Sequence, residues 1–159
     1  MIHEVEGAIL LSKAEAIAHG VAVNDDFKQG LALALRERWP SLYKDFRHYC
    51  QTRSPDEGSL WSWKGPGSQA IVSLLTQKPP LSQGQHPGKA TLSNVSHCLK
   101  KLVEEVKENS YKSLAITKLA TGVGGLDWEE VKPLLEKFLG PLEIPVYVYA
   151  KYVKNQSGE

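Results

Sequence analysis

Apolar and polar positions alternate along this chain in two different periods, and the switches between them mark its elements. "IHEVEGAIL" and "EAIAHGVA" carry the period of two of short strands, with Ser12–Lys13 at a turn between them. "GLALALRERW", residues 30–39, has helical spacing. Pro40 ends that helix, and Ser41 is placed to cap a second one over "LYKDFRHYC". "LWSWKG" and "QAIVSLLTQ" predict a hairpin of strands. The second is almost continuously apolar, as a strand covered on both faces must be. "TLSNVSHCLKKLVEEVKEN" predicts a long amphipathic helix whose inward stripe is Leu92, Val95, Leu99, Leu102, Val103 and Val106. "SLAIT" is a short buried strand and "WEEVKPLLEKFL" the last helix, with Glu129 and Glu130 in the first turn, where the helix dipole favours them. "IPVYVYAKYV" is a terminal strand with alternating aromatics.

Between these elements lie three segments rich in turn formers or polar groups. They are residues 20–30, residues 76–90 with their prolines and glycines, and residues 119–127. Strands and helices alternate, which predicts an α/β fold: a three-layer α/β/α sandwich on a mixed, largely parallel sheet. In such a sheet the ligand crevice lies at the carboxyl ends of the strands, where these three segments would meet.

Composition narrows the function classes. The 159 residues carry a net charge of +1, which argues against extensive phosphate contacts with nucleic acid. No apolar run approaches the ~18 residues of a membrane span, and the first residues lack the basic segment of a signal peptide. The expectation is a cytoplasmic, monomeric, single-domain protein over residues 1–153, with 154–159 as a short C-terminal tail. Cys50 and Cys98 lie far apart and outside any CxxC motif, and are read as free buried thiols. No histidine, cysteine or acidic pair has a recognised metal-ligand spacing, so neither metal nor cofactor is expected.

The stretch "LATGVGGLDW" places Gly122, Gly124 and Gly125 between a strand and a helix. Backbone N–H groups and a helix N-terminus there favour an anion. The stretch is not a P-loop, which ends in Gly-Lys-Ser/Thr. Nor is it a dinucleotide fingerprint, because residue 127 is Asp where that motif needs Gly. The polar loop Asn24–Asp25–Asp26 opens the helix starting at Gly30 and is a second candidate for ligand contact, although its aspartates could equally serve only as caps. His86, on the long 79–90 loop, has the residue type for proton transfer near neutral pH. Lys89 could hold a phosphate, and His19 at a strand end reads as a structural histidine.

"IAHGVAVNDDFKQGLALALRERWP", "IVSLLTQK" and "LAITKLATGVGGLDWEEVKPLLEKFLG" together resemble the macro domains, an ADP-ribose-binding α/β/α family, over roughly residues 2–150. The resemblance is to the branch holding the terminal ADP-ribose glycohydrolases, the DNA ADP-ribosyl glycohydrolase antitoxins and the ADP-ribose 1″-phosphate processing proteins. It implies that Thr121, Gly122, Val123, Gly124, Gly125 and Leu126 wrap the pyrophosphate and distal ribose. Asn24, Gly30 and Thr76 complete the implied ligand contacts, and Trp128 would pack beneath the loop.

Two positions depart from the family pattern. Ala8 in "GA" stands where many macro domains have an aspartate that binds the adenine amino group. Gln77 stands where the branch's glycohydrolases have a lysine, and Lys78 falls one residue late, which in a strand reverses its direction. The acidic group that part of the branch carries in the glycine loop aligns with Gly124. Asn24, Asp25, Asp26, Gln77 and His86 are therefore the candidate catalytic residues.

The expected function is ADP-ribose binding with hydrolysis of ADP-ribosyl adducts on an acidic side chain, a nucleobase or a phosphate. The alternatives are a non-catalytic ADP-ribose reader, or a nucleic-acid-associated antitoxin module that stacks bases on Trp61 and Trp63. Those two tryptophans share a sheet face and could equally be packing residues.

Overall fold

The computed structural model describes residues 1–67, 69–82 and 87–159. Six strands form one sheet: β1 (Ile2–Glu6), β2 (Ala16–Ala22), β3 (Leu60–Lys64), β4 (Ala70–Gln77), β5 (Leu114–Thr117) and β6 (Val146–Lys151). Their order is β1-β6-β5-β2-β4-β3, and every neighbouring pair is parallel except β3 against β4. Among the described residues four α-helices complete the fold: α1 (Gly30–Arg38), α2 (Pro40–Arg53), α3 (Leu92–Asn109) and α4 (Trp128–Leu139).

Alternation along the inner strands sends side chains to two separate cores. Ala16, Ala18, Val72, Leu74, Leu114, Ile116 and Val148 pack with Val95, Leu99, Leu102, Val131 and Leu135 of α3 and α4. Ile17, Val21, Ile71, Leu75 and Ala115 pack on the other face with Leu35, Leu42 and Phe46 of α1 and α2. The predicted three layers are these two cores with the sheet between them. β4 is buried at every residue, as its apolar run requires.

Several local expectations change. "IHEVEGAIL" is not one strand: β1 stops at Glu6, and a single 3-10 turn follows at Ile9–Leu11. β1 lies at one edge of the sheet, parallel to β6. Ser41 does not cap α2. The helix begins at Pro40, whose missing N–H suits a first turn, and no side chain caps it. The inward stripe of α3 also includes Cys98, which is fully buried, while Leu92 and Val103 sit at its margin. Cys50 and Cys98 are both free and buried.

Trp61 and Trp63 are half-buried against the second core. Trp61 lies in the aromatic cluster of Phe46 and Tyr49, and Trp63 donates its indole N–H to Asp45 at 2.8 Å. Packing thus accounts for both.

One irregularity positions the site. β2 and β4 run in register until Val21 meets Leu75, after which Ala22 meets Gln77. Thr76 is the extra residue of a β-bulge at the carboxyl end of the strand. Bulges of this kind re-aim the side chains next to them.

Candidate functional site

The three segments do converge. His19, Gly20 and Val21, then Asp25, Asp26, Gln29 and Gly30, surround a crevice of about 440 Å³ together with Gln77, Pro87, Thr117, Lys118, Ala120 and Gly122 through Gly124. A second cavity of about 650 Å³ adjoins it and shares Gly30, Leu31 and Thr117 with it. Its walls are Ala8, Ile9, Leu10, Leu11, Ala34, Tyr149, Tyr152, Lys154 and Asn155. The pair forms one trough across the carboxyl ends of β2, β4 and β5.

The polar resource of the trough is backbone. The amides of residues 121–124 donate to no acceptor among the described residues. On the facing wall the first intrahelical bond of α1 is Leu33 N–H to Gln29 carbonyl at 3.2 Å, which leaves the amides of residues 30–32 without a backbone acceptor among the described residues. No side chain caps α1. Two sets of unpaired N–H groups thus flank the crevice, one of them at a helix N-terminus.

The three glycines of the loop are not equivalent. At Gly124 a Cβ would lie 2.6 Å from the Ala120 carbonyl oxygen, and Gly125 has φ +77°. Both are required by the turn itself. The turn closes through Leu126 N–H to Ala120 carbonyl at 2.9 Å and Gly125 N–H to Gly122 carbonyl at 3.0 Å. Gly122 has an ordinary φ, and its Cβ would meet nothing within 4 Å. The fold makes no demand for glycine there, and Gly122 lines the crevice.

The predicted residues divide. Asp25, Asp26, Gln77, Gly30, Gly122, Val123 and Gly124 line the crevice. Thr121, Gly125 and Leu126 shape the loop from outside that lining, and the Thr121 hydroxyl donates to the Lys118 carbonyl at 2.8 Å. Asn24 is exposed, with φ +61°, and stands outside the lining. Thr76 is buried behind Gly20, and its hydroxyl has no partner among the described residues. His86 lies outside the described residues. Lys78 is exposed, has its Cβ beside Gly88 and is not among the residues that line the crevice. Lys89 runs beside Gly125, and Trp128 packs on the core with Lys118 over its ring at 5.4 Å.

Asp25 is half-buried, and its carboxylate accepts the Phe27 N–H at 2.8 Å. Burial pushes its pKa above the ordinary carboxylate value. The Phe27 N–H opposes that rise, and the charge of Asp26 adds to it. Asp26 is exposed and accepts from Lys28 N–H at 3.2 Å. Both aspartates therefore brace their own loop and leave α1 uncapped. Gln77 is buried and donates its side-chain N–H to the Gly88 carbonyl at 3.1 Å, tying β4 to the segment at 87–89.

His19 is 2% exposed. Its Nε2 lies 2.7 Å from the Ser73 hydroxyl on the paired strand. Burial lowers its pKa to about 4, so the ring is neutral. It is structural, as expected, and it also forms part of the crevice floor. The second cavity is absent from the expectations drawn from sequence. Its signal was the run of aromatics in "VYVYAKY", whose Tyr149 and Tyr152 reach it.

A family model described as Macro domain matches residues 22–135. A DNA ADP-ribosyl transferase–DNA ADP-ribosyl glycohydrolase fusion protein of Thermosipho africanus is 30% identical over 95% of this chain and 42% of its own length. An ADP-ribose 1″-phosphate phosphatase of Candida albicans is 22% identical over 93% of this chain and 99% of its own. Among solved structures, the macrodomain of Thermus aquaticus DarG superposes with TM-score 0.80 at 26% identity, covering 94% of this chain and 98% of that one. The Thermosipho africanus DarTG complex with ADP-ribose gives 0.82 at 24% identity, over 99% of this chain and 43% of that one. The chain spans about two-fifths of the length of the glycohydrolase relatives, at 42% and 41% of the first two.

Proposed function

The chain belongs to the macro domain family, and on that premise we propose that its trough binds ADP-ribose and that the protein hydrolyses ADP-ribosyl adducts. One observation carries the reading: the amides of residues 122–124 and those at the start of α1 belong to segments lining the same crevice, and neither set has an acceptor among the described residues. A diphosphate between them would satisfy both sets and meet the positive end of the helix dipole. Gly122 leaves room for it. The adjoining apolar cavity, with Tyr152 at its rim and Ile9 and Leu31 in its walls, suits the adenosine half. The distal ribose then extends toward Asp25, His19 and Gln77.

For hydrolysis, Asp25 is the general base. One carboxylate oxygen is held by Phe27, and the other is left to take a proton from water. The hydroxide so formed adds to the anomeric carbon of the distal ribose, the bond to the acceptor breaks, and the departing acceptor takes up the proton. Amides held in place along the diphosphate need no reorganisation as charge develops. Gln77, fixed on Gly88, lacks a titratable group and serves to orient. The names of the relatives support two acceptor classes, DNA and a 1″-phosphate.

A panel of ADP-ribosylated single-stranded DNA, an ADP-ribosylated glutamate peptide and ADP-ribose 1″-phosphate tests this reading. Release of ADP-ribose from one of them, lost in Asp25→Asn, is expected. Binding of ADP-ribose without turnover of any would favour the second reading, a reader. The observation behind that reading is that Gln77, not a lysine, lines the crevice at the end of β4, and Lys78 lies outside that lining.

A further inference from the structure

The residues after β6 are not a loose tail. The backbone of Gly7 and Ala8 is bonded to them on both sides: Gly7 N–H donates to Lys151 carbonyl at 2.9 Å, Val153 N–H to Gly7 carbonyl at 3.2 Å, and Ala8 N–H to Gln156 carbonyl at 2.7 Å. The Gln156 side chain donates to the Glu6 carbonyl at 3.2 Å. Further on, the Glu159 side-chain carboxylate gathers three donors: the Ser12 hydroxyl at 2.7 Å, the Lys13 N–H at 3.1 Å and the Tyr149 hydroxyl. Two glycines permit the contact. A Cβ on Gly7 would lie 2.6 Å from the Gln156 carbonyl oxygen, and one on Gly158 would lie 2.7 Å from Val5 Cγ2. Side-chain-free positions facing each other across two chain segments mark a close-packed seam.

This strap forms one wall of the second cavity through Tyr152, Lys154 and Asn155. The opposite wall, Ala8 through Leu11 with Leu31 and Ala34, offers only apolar side chains. Ala8 has no acceptor in its side chain, and its N–H is already spent on Gln156. Asn155 is held at φ +60°, a conformation asparagine tolerates better than most residues. Its carboxamide is the one side-chain group among the described lining residues with both an uncharged N–H donor and a carbonyl acceptor on the same planar end. That pairing complements the N6/N7 edge of adenine, an amino donor beside a ring-nitrogen acceptor, whereas hypoxanthine offers two acceptors there.

We propose that the Tyr152–Glu159 strap selects the nucleobase, with the Asn155 carboxamide pairing to the N6/N7 edge of the 6-aminopurine and the Glu159 clasp holding the strap in place. The inference rests on the reading that the trough binds ADP-ribose.

Calorimetric titration of the whole chain with ADP-ribose and with its hypoxanthine counterpart, inosine-diphosphate ribose, tests it. The two ligands share every atom except the group at the purine 6-position and the proton on its neighbour. The wild type is expected to prefer ADP-ribose by about tenfold, the discrimination of one bidentate contact. Asn155→Gly keeps the backbone conformation accessible and removes the carboxamide. It is expected to bring the two affinities within about twofold by weakening ADP-ribose. Glu159→Ala is expected to weaken ADP-ribose as well, with far-ultraviolet circular dichroism unchanged. A wild-type preference that survives in Asn155→Gly overturns the proposal, as does equal affinity of the wild type for the two ligands. Failure of the wild type to bind either ligand removes the premise itself, a different result from binding without base selection.

Discussion

The side-chain N–H of Gln77 reaches the Gly88 carbonyl at 3.1 Å and fastens the end of β4 to the segment that forms one lip of the crevice. The bulge at Thr76 makes this possible by ending the regular register one residue earlier. Gln77→Ala deletes the bond and leaves the Gly88 carbonyl to find water. A net loss of about 1 kcal/mol of stability is expected in urea unfolding. ADP-ribose affinity should also fall, since the segment at 87–89 is no longer held.

Gly122 and Gly124 should respond in opposite ways to the same change. Gly124→Ala puts a methyl 2.6 Å from a backbone oxygen, an overpacking of the kind that costs about 1–3 kcal/mol. Gly122→Ala meets open space and should stay within about 0.5 kcal/mol of wild type. Thermal unfolding of the two variants side by side checks this.

Asp25 gives the proposed reaction its acid limb. Its pKa is raised, chiefly by burial, so the carboxylate protonates at a higher pH than an ordinary aspartate. The rate should therefore fall on acidification with a midpoint above the usual aspartate value. Asp25→Asn should lower kcat by about 10²- to 10⁴-fold, the usual worth of a general base. Its ADP-ribose affinity should change little. A pH–rate profile of both proteins reads the outcome.

His19 sets a pH dependence of stability instead. Its folded pKa is about 4, against 6.5 when unfolded. Between these values the unfolded chain binds a proton that the folded chain refuses, so stability falls as pH drops from 6.5 toward 4 and then levels off. The contribution lost is on the order of 3 kcal/mol. The groups facing the ring are the Ser73 hydroxyl and the Phe27 edge, neither of which titrates in that window. His19→Gln should show a shallower decline over it, measured as urea midpoints at several pH values.

What was legible in the sequence follows a physical divide. Elements fixed by short-range periodicity were readable: the apolar β4, the stripe of α3 and the helix after the glycines. So was the convergence of three loops, because parallel strands place all their carboxyl ends on one side. Features that depend on contacts far apart in sequence were not. The pairing of β1 with β6 brings residues 2–6 beside 146–151, and only that pairing lets the strap reach Gly7. Nothing local in "GA" shows that the Ala8 N–H will be taken by Gln156. Gly122 and Gly124 look alike in sequence, and only the position of the Ala120 carbonyl separates their reasons for being glycine. The Thr76 bulge was likewise invisible in a run that reads as an uninterrupted strand.

The central claim is that the trough binds ADP-ribose with its diphosphate against Gly122. Isothermal titration of ADP-ribose into wild type and Gly122→Glu tests it most directly, with AMP and NAD as comparators. The glutamate would project into the crevice from a position where the fold has room, bringing both bulk and negative charge. The account expects micromolar or tighter binding to the wild type and its loss in a variant whose thermal midpoint is unchanged. Equal binding to both proteins would contradict the placement of the diphosphate. No binding to either would contradict the claim that this trough takes ADP-ribose at all.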